Sequence, residues 1–329
     1  MLTPRFWRNN SSNSGMTTFF LTPFSWIWTL GLKYRLNVPS HKVKVPVICI
    51  GNINLGGVGK TPTVIAFTEK LKEIGLNPHI VSKGYRGKLG GPVLVTEKHN
   101  SKDVGDEPIL LSSFAPTWVS KDRVKGAKEA VENGCDIIIL DDGFQNGHLH
   151  KDFSVIVVDS KRGFGNERVF PAGPLRESLD QGLKRADLML LVGDEPDRVR
   201  FLNDKKEIQL EICEASVEVI ETGFEWKNAR VLAFAGIGDP EKFFESLRTV
   251  GANILKKIPL SDHANLNRKL ILRLLKEAKE MDAILVTTEK DAVRLPEEFK
   301  SEILTLPVRL LINDWEKINK QIEQLTSNN

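Results

Sequence analysis

Short apolar runs recur along the chain, separated by segments in which apolar residues repeat at helical spacing. Residues 43–50 (VKVPVICI), 135–140 (CDIIIL), 153–159 (FSVIVVD) and 188–192 (LMLLV) are too continuous for half-exposed strands and predict strands buried on both faces. Residues 63–74 (TVIAFTEKLKEI), 106–114 and 123–133 predict helices, with shorter strands at 77–83, 92–96 and 117–120. Strands alternating with helices predict an α/β lobe with a largely parallel sheet. A second region begins near Ala229, with a strand at 231–235, the turn Gly236-Ile237-Gly238, a helix at 241–250 and a strand at 284–287. Residues 209–224 alternate as a strand does and are read as a β linker. The expected division is therefore an N-terminal tail and helix over 1–40, a first lobe over 41–208, the linker over 209–224 and a smaller α/β lobe over 225–329.

Charge changes this picture at one end. The 329 residues carry a net charge of +3, yet no acid precedes Glu69, while seven Lys or Arg do. The same stretch holds Trp7, Trp26 and Trp28, three of six tryptophans, and the apolar run 19–32 (FFLTPFSWIWTLGL) followed by Lys33 and Arg35. A membrane-spanning helix needs about 20 consecutive apolar residues, so this run is short and is broken by Pro23. The broken apolar region, with no small-residue cleavage site after it, also argues against a signal peptide. Aromatic residues flanked by cations and free of anions suit the surface of an anionic bilayer, although a helix packed on the first lobe has the same composition. Residues 1–15 are expected to be disordered, with Met16 an alternative start. Cys49, Cys135 and Cys213 are too far apart to suggest a zinc site or a disulfide framework, which fits a reducing compartment. No nucleic-acid partner and no obligate protein partner is expected.

The run 51–62 (GNINLGGVGKTP) lies between the first buried strand and the first helix, where a phosphate loop belongs. Gly56, Gly57, Val58 and Gly59 can turn backbone N–H groups toward a triphosphate, Lys60 can reach the outer phosphates, and the Thr61 hydroxyl can hold Mg²⁺. Asn54, expected among the ATP-binding residues of this loop, stands where the common pattern has glycine. Asp141-Asp142, at the end of an apolar strand, fits the metal role that accompanies such a loop, or else forms a solvated turn. Asp106 and Glu107 open a helix, as a cap or as an acid able to accept a proton from an attacking hydroxyl. Arg176-Glu177 closes a Pro/Gly-rich loop as phosphate and metal partners or as a surface ion pair. Asp262-His263 can act as an acid–base pair only if both side chains face one site.

Taken in order, GGVGKTP, GYRG, VGDEP, DDGFQ, FPAGPLRE, AGIGDPEKFF, SDH and TTEKDAVRL resemble the tetraacyldisaccharide 4′-kinase family of lipid A synthesis. The resemblance implies two α/β/α lobes, the first P-loop NTPase-like, with a membrane-associating N-terminal helix. It implies ATP and Mg²⁺, a lipid A disaccharide 1-phosphate substrate, and work at the cytoplasmic face of the bacterial inner membrane. By resemblance Asp106 is the base and His263 its partner. Glu107, Asp141, Asp142 and Glu177 shape the metal site with Thr61, while Tyr85, Arg123, Gln145, Arg176 and Asp262 lie around it. Another P-loop phosphotransferase or ligase, or a nucleotide-switched binding protein, would also carry Gly-Lys-Thr. The Asn-Lys-x-Asp guanine motif of a GTPase is absent from the sequence.

Overall fold

The structure is a computed structural model and describes residues 4–8 and 15–327. Among the described residues, thirteen strands form two sheets. They are β1 Val47–Gly51, β2 Pro78–Ser82, β3 Val93–Leu94, β4 Thr117–Val119, β5 Ile137–Asp141, β6 Phe153–Asp159, β7 Leu188–Val192, β8 Ile212–Val219, β9 Arg230–Ala235, β10 Asn253–Pro259, β11 Ile284–Thr288, β12 Leu304–Leu306 and β13 Val308–Ile312. The larger sheet has the order β13-β8-β7-β6-β1-β5-β2-β4-β3 and the smaller β10-β9-β11-β12. Pairing is parallel except at the two edges of the large sheet, where β3 runs against β4 and β13 against β8.

The continuous apolar strands are buried on both faces, as their composition requires: every residue of β1, β2, β5, β6 and β7 is buried. One face of the large sheet packs Ile48, Ile50 and Val155 against Phe67 and Leu71 of the helix Lys60–Glu73. The other packs Cys49, Ile138 and Leu140 against Phe144, Phe164 and Leu175. The small sheet is covered on one side by the helix Arg268–Glu280 and on the other by Pro240–Thr249. Central β1 lies between β5 and β6 with Ile50 level with Asp141, so the loop after β1 and the acids after β5 leave the same sheet edge.

Residues 209–224 lead from the first lobe to the second by way of the large sheet. They carry β8, which pairs with β7 and is covered in turn by β13, and the chain end returns to the first lobe. Trp315 packs its ring on Phe67 at 5.3 Å, and Ile318 and Ile322 are buried in the same core. The physical reason is the β8 edge, whose backbone groups β13 satisfies while the final helix, Glu316–Ser327, covers the apolar face beside it. Two segments thus cross between lobes, after β8 and at Pro307, and the Ile220 N–H donates to the Pro307 carbonyl at 3.1 Å.

The apolar N-terminal run is one helix, Met16–Leu36, with Pro23 inside it. Its buried stripe is small and mostly polar, Thr18, Ser25 and Leu32 at seven-residue spacing, whereas Phe19, Phe20, Phe24, Trp26, Ile27 and Leu30 are exposed. Ser25 donates to the Val169 carbonyl at 2.7 Å and Trp28 Nε1 to the Arg176 carbonyl at 2.7 Å, which fastens the helix to the Pro/Gly-rich loop 170–177. Among the described residues no helix is long and apolar enough to cross a membrane. The disorder expected for 1–15 falls mostly outside the described residues. Within them Arg5–Arg8 make one 3₁₀ turn, and Trp7 Nε1 donates to the Pro171 carbonyl.

If residues 308–312 belong to the core of the first lobe, Leu310→Ala should destabilise the protein by about 2–5 kcal/mol, the cost of a buried Leu cavity. Urea unfolding followed by circular dichroism measures this. A cost below about 1 kcal/mol would contradict the placement of β13.

Candidate active site

The phosphate loop rises from β1 and ends at the helix Lys60–Glu73. Gly56 (φ 113°) and Gly59 (φ 99°) sit in the left-handed region, where a side chain would be strained, and this bends the backbone into a cradle. The helix N-terminus adds partial positive charge on the same side. Lys60 Nζ donates to Asn52 Oδ1 at 3.3 Å and lies 3.6 Å from Asp142 Oδ1. Asn54 supports the cradle from behind: its amide donates to the Gly163 carbonyl at 2.8 Å, and its own carbonyl accepts from Asn52 and Arg176. Its side chain is therefore a brace for the loop.

The paired acids differ in environment. Asp141 ends β5 fully buried and accepts a bond from the Ser82 hydroxyl at 2.8 Å. Burial, followed by the nearby charges of Glu107 and Asp142, pushes its carboxyl up to about 7. Asp142, one residue on at φ 50°, pairs with Arg176 Nη1 at 2.8 Å. Burial alone would raise it, but Lys60 and Arg176 outweigh burial and hold it at about 2. Asp142 is thus the more readily ionised of the pair and Asp141 the more readily protonated. Glu107 is held below the usual carboxylate range: burial opposes this, and Lys290, 2.9 Å away, together with Lys60, overcomes it.

The structure brings Asp106 and His263 together from opposite lobes. Asp106 opens the short helix Asp106–Ser112 behind Gly105 (φ 92°), and His263 stands in the turn after β10 at φ 57°, its N–H donating to the Gly236 carbonyl at 3.0 Å. His263 Nδ1 is 2.7 Å from Asp106 Oδ2, and Nε2 lies 3.7 Å from Asp262 Oδ1. The exposed Tyr85 sets its ring edge-on to the imidazole, with centroids 5.8 Å apart. The second-lobe turn also touches the phosphate loop: a side chain on Gly238 would lie 3.3 Å from the Gly57 nitrogen.

Other expected residues lie behind this front. Glu177 is fully buried, with one oxygen accepting from Gln145 at 2.8 Å and the other paired with Arg185, so both oxygens are engaged within the protein and it orients Gln145. Gln145 in turn donates to the Asn52 carbonyl and accepts from Arg176. Arg123, buried beneath the sheet edge, donates to the carbonyls of Asp141 and Ser120 and fixes the backbone of the acid pair. Sequence reasoning left Lys290, in the run 287–291 after the second-lobe strand, either lining the cleft or beside a helix cap, and gave no role to Arg294, Asn52 or Ser82. Lys290 and Arg294 were signalled by the same rule that exposed Asp141, a buried strand ending in polar residues at the open sheet edge.

Among the described residues no three His, Cys, Asp or Glu side chains gather into a ready-made metal cage. The oxygen donors here suit Mg²⁺ all the same, since that ion is held by one or two carboxylates plus phosphate oxygens and water. Thr61 at the helix N-terminus, Asp142 and the nearby Asp141 and Glu107 are the residues that would hold it.

A proton bound near pH 7 by folded Asp141 has a thermodynamic signature. Unfolded Asp141 ionises near 3.8, so between about pH 4 and 7 the folded chain holds a proton the unfolded chain has lost. That contribution is complete below pH 4 and lost as pH rises through 7. Metal-free Asp141→Asn should therefore gain stability relative to the parent as pH rises over this window, then level off. Urea midpoints at pH 5 and pH 8 measure it, and a constant difference would refute the assignment.

The model of a family described as LpxK, tetraacyldisaccharide-1-P 4′-kinase, matches residues 17–327. A tetraacyldisaccharide 4′-kinase from Jannaschia sp. (strain CCS1) is 46% identical over 328 residues, 99% of each chain. One from Dinoroseobacter shibae is 46% identical over 332 residues, covering 100% of this chain and 98% of that protein. The crystal structure of an "apo" form of LpxK from Aquifex aeolicus in complex with ATP superposes with a TM-score of 0.76 and 27% identity, covering 94% of this chain and all of that one. Phosphate loop, acid pair and cross-lobe dyad all lie within the matched span, and the chain belongs to the tetraacyldisaccharide 4′-kinase family.

Proposed function

We propose that this chain transfers the γ-phosphate of ATP to the 4′-hydroxyl of a tetraacylated glucosamine disaccharide 1-phosphate at the cytoplasmic face of the inner membrane. The observation that carries the reading is the 2.7 Å contact between Asp106 and His263, formed across the cleft beside the phosphate loop. A nucleotide switch has no use for an acid–imidazole pair placed to meet an acceptor.

Asp106 Oδ2 is engaged by His263, and Oδ1 makes no hydrogen bond to a described residue, which leaves it to accept the hydroxyl proton as oxygen attacks phosphorus. His263 orients the carboxylate and faces the second acid, Asp262, through Nε2. Lys60, the glycine backbone and the helix N-terminus neutralise the charge on the transferred group, and Arg176 keeps Asp142 aligned. Mg²⁺, when bound, supplies further charge neutralisation at the phosphates. Catalysis of this kind is mostly positioning, and both lobes must contribute to the same site for it to work.

The exposed apolar residues of Met16–Leu36 support a membrane-surface role for this helix. An aromatic face left outside a polar buried stripe is stable where lipid covers it, and Lys33 and Arg35 at its end attract anionic headgroups. The acyl chains of the substrate can then remain in the bilayer while its sugars reach the cleft.

Purified protein with ATP, Mg²⁺ and the lipid disaccharide 1-phosphate should add a second phosphate, read by thin-layer chromatography. No transfer beside a working control kinase would refute the proposal. Asp106→Ala should lose about 10²- to 10⁴-fold in turnover while still binding ATP, and full activity would remove Asp106 from the mechanism. Replacing Trp26, Ile27 and Leu30 with Ser should weaken both binding to anionic vesicles and turnover of vesicle-embedded substrate, leaving ATP binding intact. Unchanged vesicle binding would exclude the helix as the contact.

A further inference from the structure

Arg294 lies just past the short helix Glu289–Ala292, in the TTEKDAVRL segment of the second lobe. Its side chain is only 6% exposed and is fixed at both ends of the fork. Nη1 donates to the Ala264 carbonyl at 2.8 Å, and Nη2 donates to the Gly236 carbonyl at 3.1 Å and pairs with the Asp291 carboxylate. Asp291 is itself fully buried and accepts the Gly236 N–H at 3.0 Å and the Thr288 hydroxyl at 2.7 Å.

These carbonyls are not arbitrary. Gly236 O also accepts the N–H of His263, and Ala264 is the next residue, so the guanidinium holds the His263 turn on both flanks. The turn needs holding because His263 sits at φ 57°, a conformation that a non-glycine residue keeps only when its surroundings enforce it. The remaining nitrogen, Nε, is buried without a hydrogen-bond partner and lies 3.4 Å from Asp106 Oδ2, the oxygen that also faces His263 Nδ1. One planar cation thus holds the backbone on either side of one dyad member and lies beside the carboxylate of the other. Lysine, a single point donor, could not span these sites. Lys290, the nearest other cation of that segment, is engaged by Glu107.

We infer that Arg294 is the positioning residue of the dyad: it locks the His263 turn and sets a fixed positive charge against Asp106 Oδ2, so that Oδ1 is the oxygen presented to the acceptor hydroxyl. The inference rests on the proposed role of Asp106 as base. It accounts for a residue of the TTEKDAVRL segment that the phosphate loop and the acids leave without a task.

The test uses the full-length protein in the lipid phosphorylation assay, comparing Arg294→Lys, Arg294→Ala, His263→Ala and the His263→Ala/Arg294→Lys double variant. Arg294→Lys should fold, bind ATP as the parent does, and lose about 10- to 100-fold in kcat with little change in KM for ATP. In the His263→Ala background the same change should cost less than about threefold, because the pair it positions is already broken. Added guanidinium should partly restore Arg294→Ala. The inference fails if Arg294→Lys stays within about twofold of parental kcat, if the two losses multiply, or if the effect appears only in KM for ATP. If neither Arg294 variant folds, the residue is a structural anchor and the inference fails as well. Absence of transfer by the parent protein would instead overturn the proposed function, which keeps the two failures apart.

Discussion

The contact of Asp106 Oδ2 with His263 Nδ1 is the constraint around which the molecule is arranged, because it joins side chains from two separately cored lobes. A 2.7 Å pair demands sub-ångström placement, and neither residue stands on a long element. Asp106 begins a seven-residue helix and His263 sits in a turn. Rigidity is imported from the sheets behind them. Gly105 packs against the Tyr85 carbonyl with no room for a side chain, and the His263 turn is held through Gly236 to the end of β9. Preorganisation of this sort is what positioning catalysis requires.

Around that pair the charges form a graded series. Lys60 and Arg176 hold Asp142 anionic at about 2, Lys290 holds Glu107 below the usual carboxylate range, and Asp141 is left with burial and like charge at about 7. Three acids at one sheet edge thus share two lysines and an arginine, and their differences follow from which acid has a cation in contact. The second layer sets who touches whom: Glu177 fixes Gln145, Gln145 fixes Arg176, and Arg176 fixes Asp142. The glutamate of the FPAGPLRE run thus orders this chain of contacts from a fully buried position.

The two segments that cross between lobes give the second lobe a defined but narrow attachment. β13 seals the large sheet, Pro307 separates it from β12 of the small one, and Arg309 bridges Glu289 to Glu69 on the helix that follows the phosphate loop. Arg162–Asp239 and Lys242–Asp159 join the lobes on the other side of the loop. Ion pairs that are partly exposed are individually weak, which suits an interface that must admit a nucleotide and a sugar.

The sequence by itself determined the buried strands, the phosphate loop and the acid pair, because each is a local pattern: a run of apolar residues, glycines before Gly-Lys-Thr, acids at a strand end. It also determined the anion-free, aromatic N-terminus, and the ordered set of short motifs marked the family. What it could not show was pairing across distance. β10 was missed because, as a half-exposed edge strand with Lys256 and Lys257, it lacks the apolar run that marked the others. The return of β13 is fixed by the edge of β8, and the orientations of the Asn54 and Glu177 side chains by Gly163 and Arg185. Arg294 acquires meaning only where Gly236, Ala264 and Asp106 meet. Such assignments depend on which groups compete for a donor in space, and only the folded chain decides that.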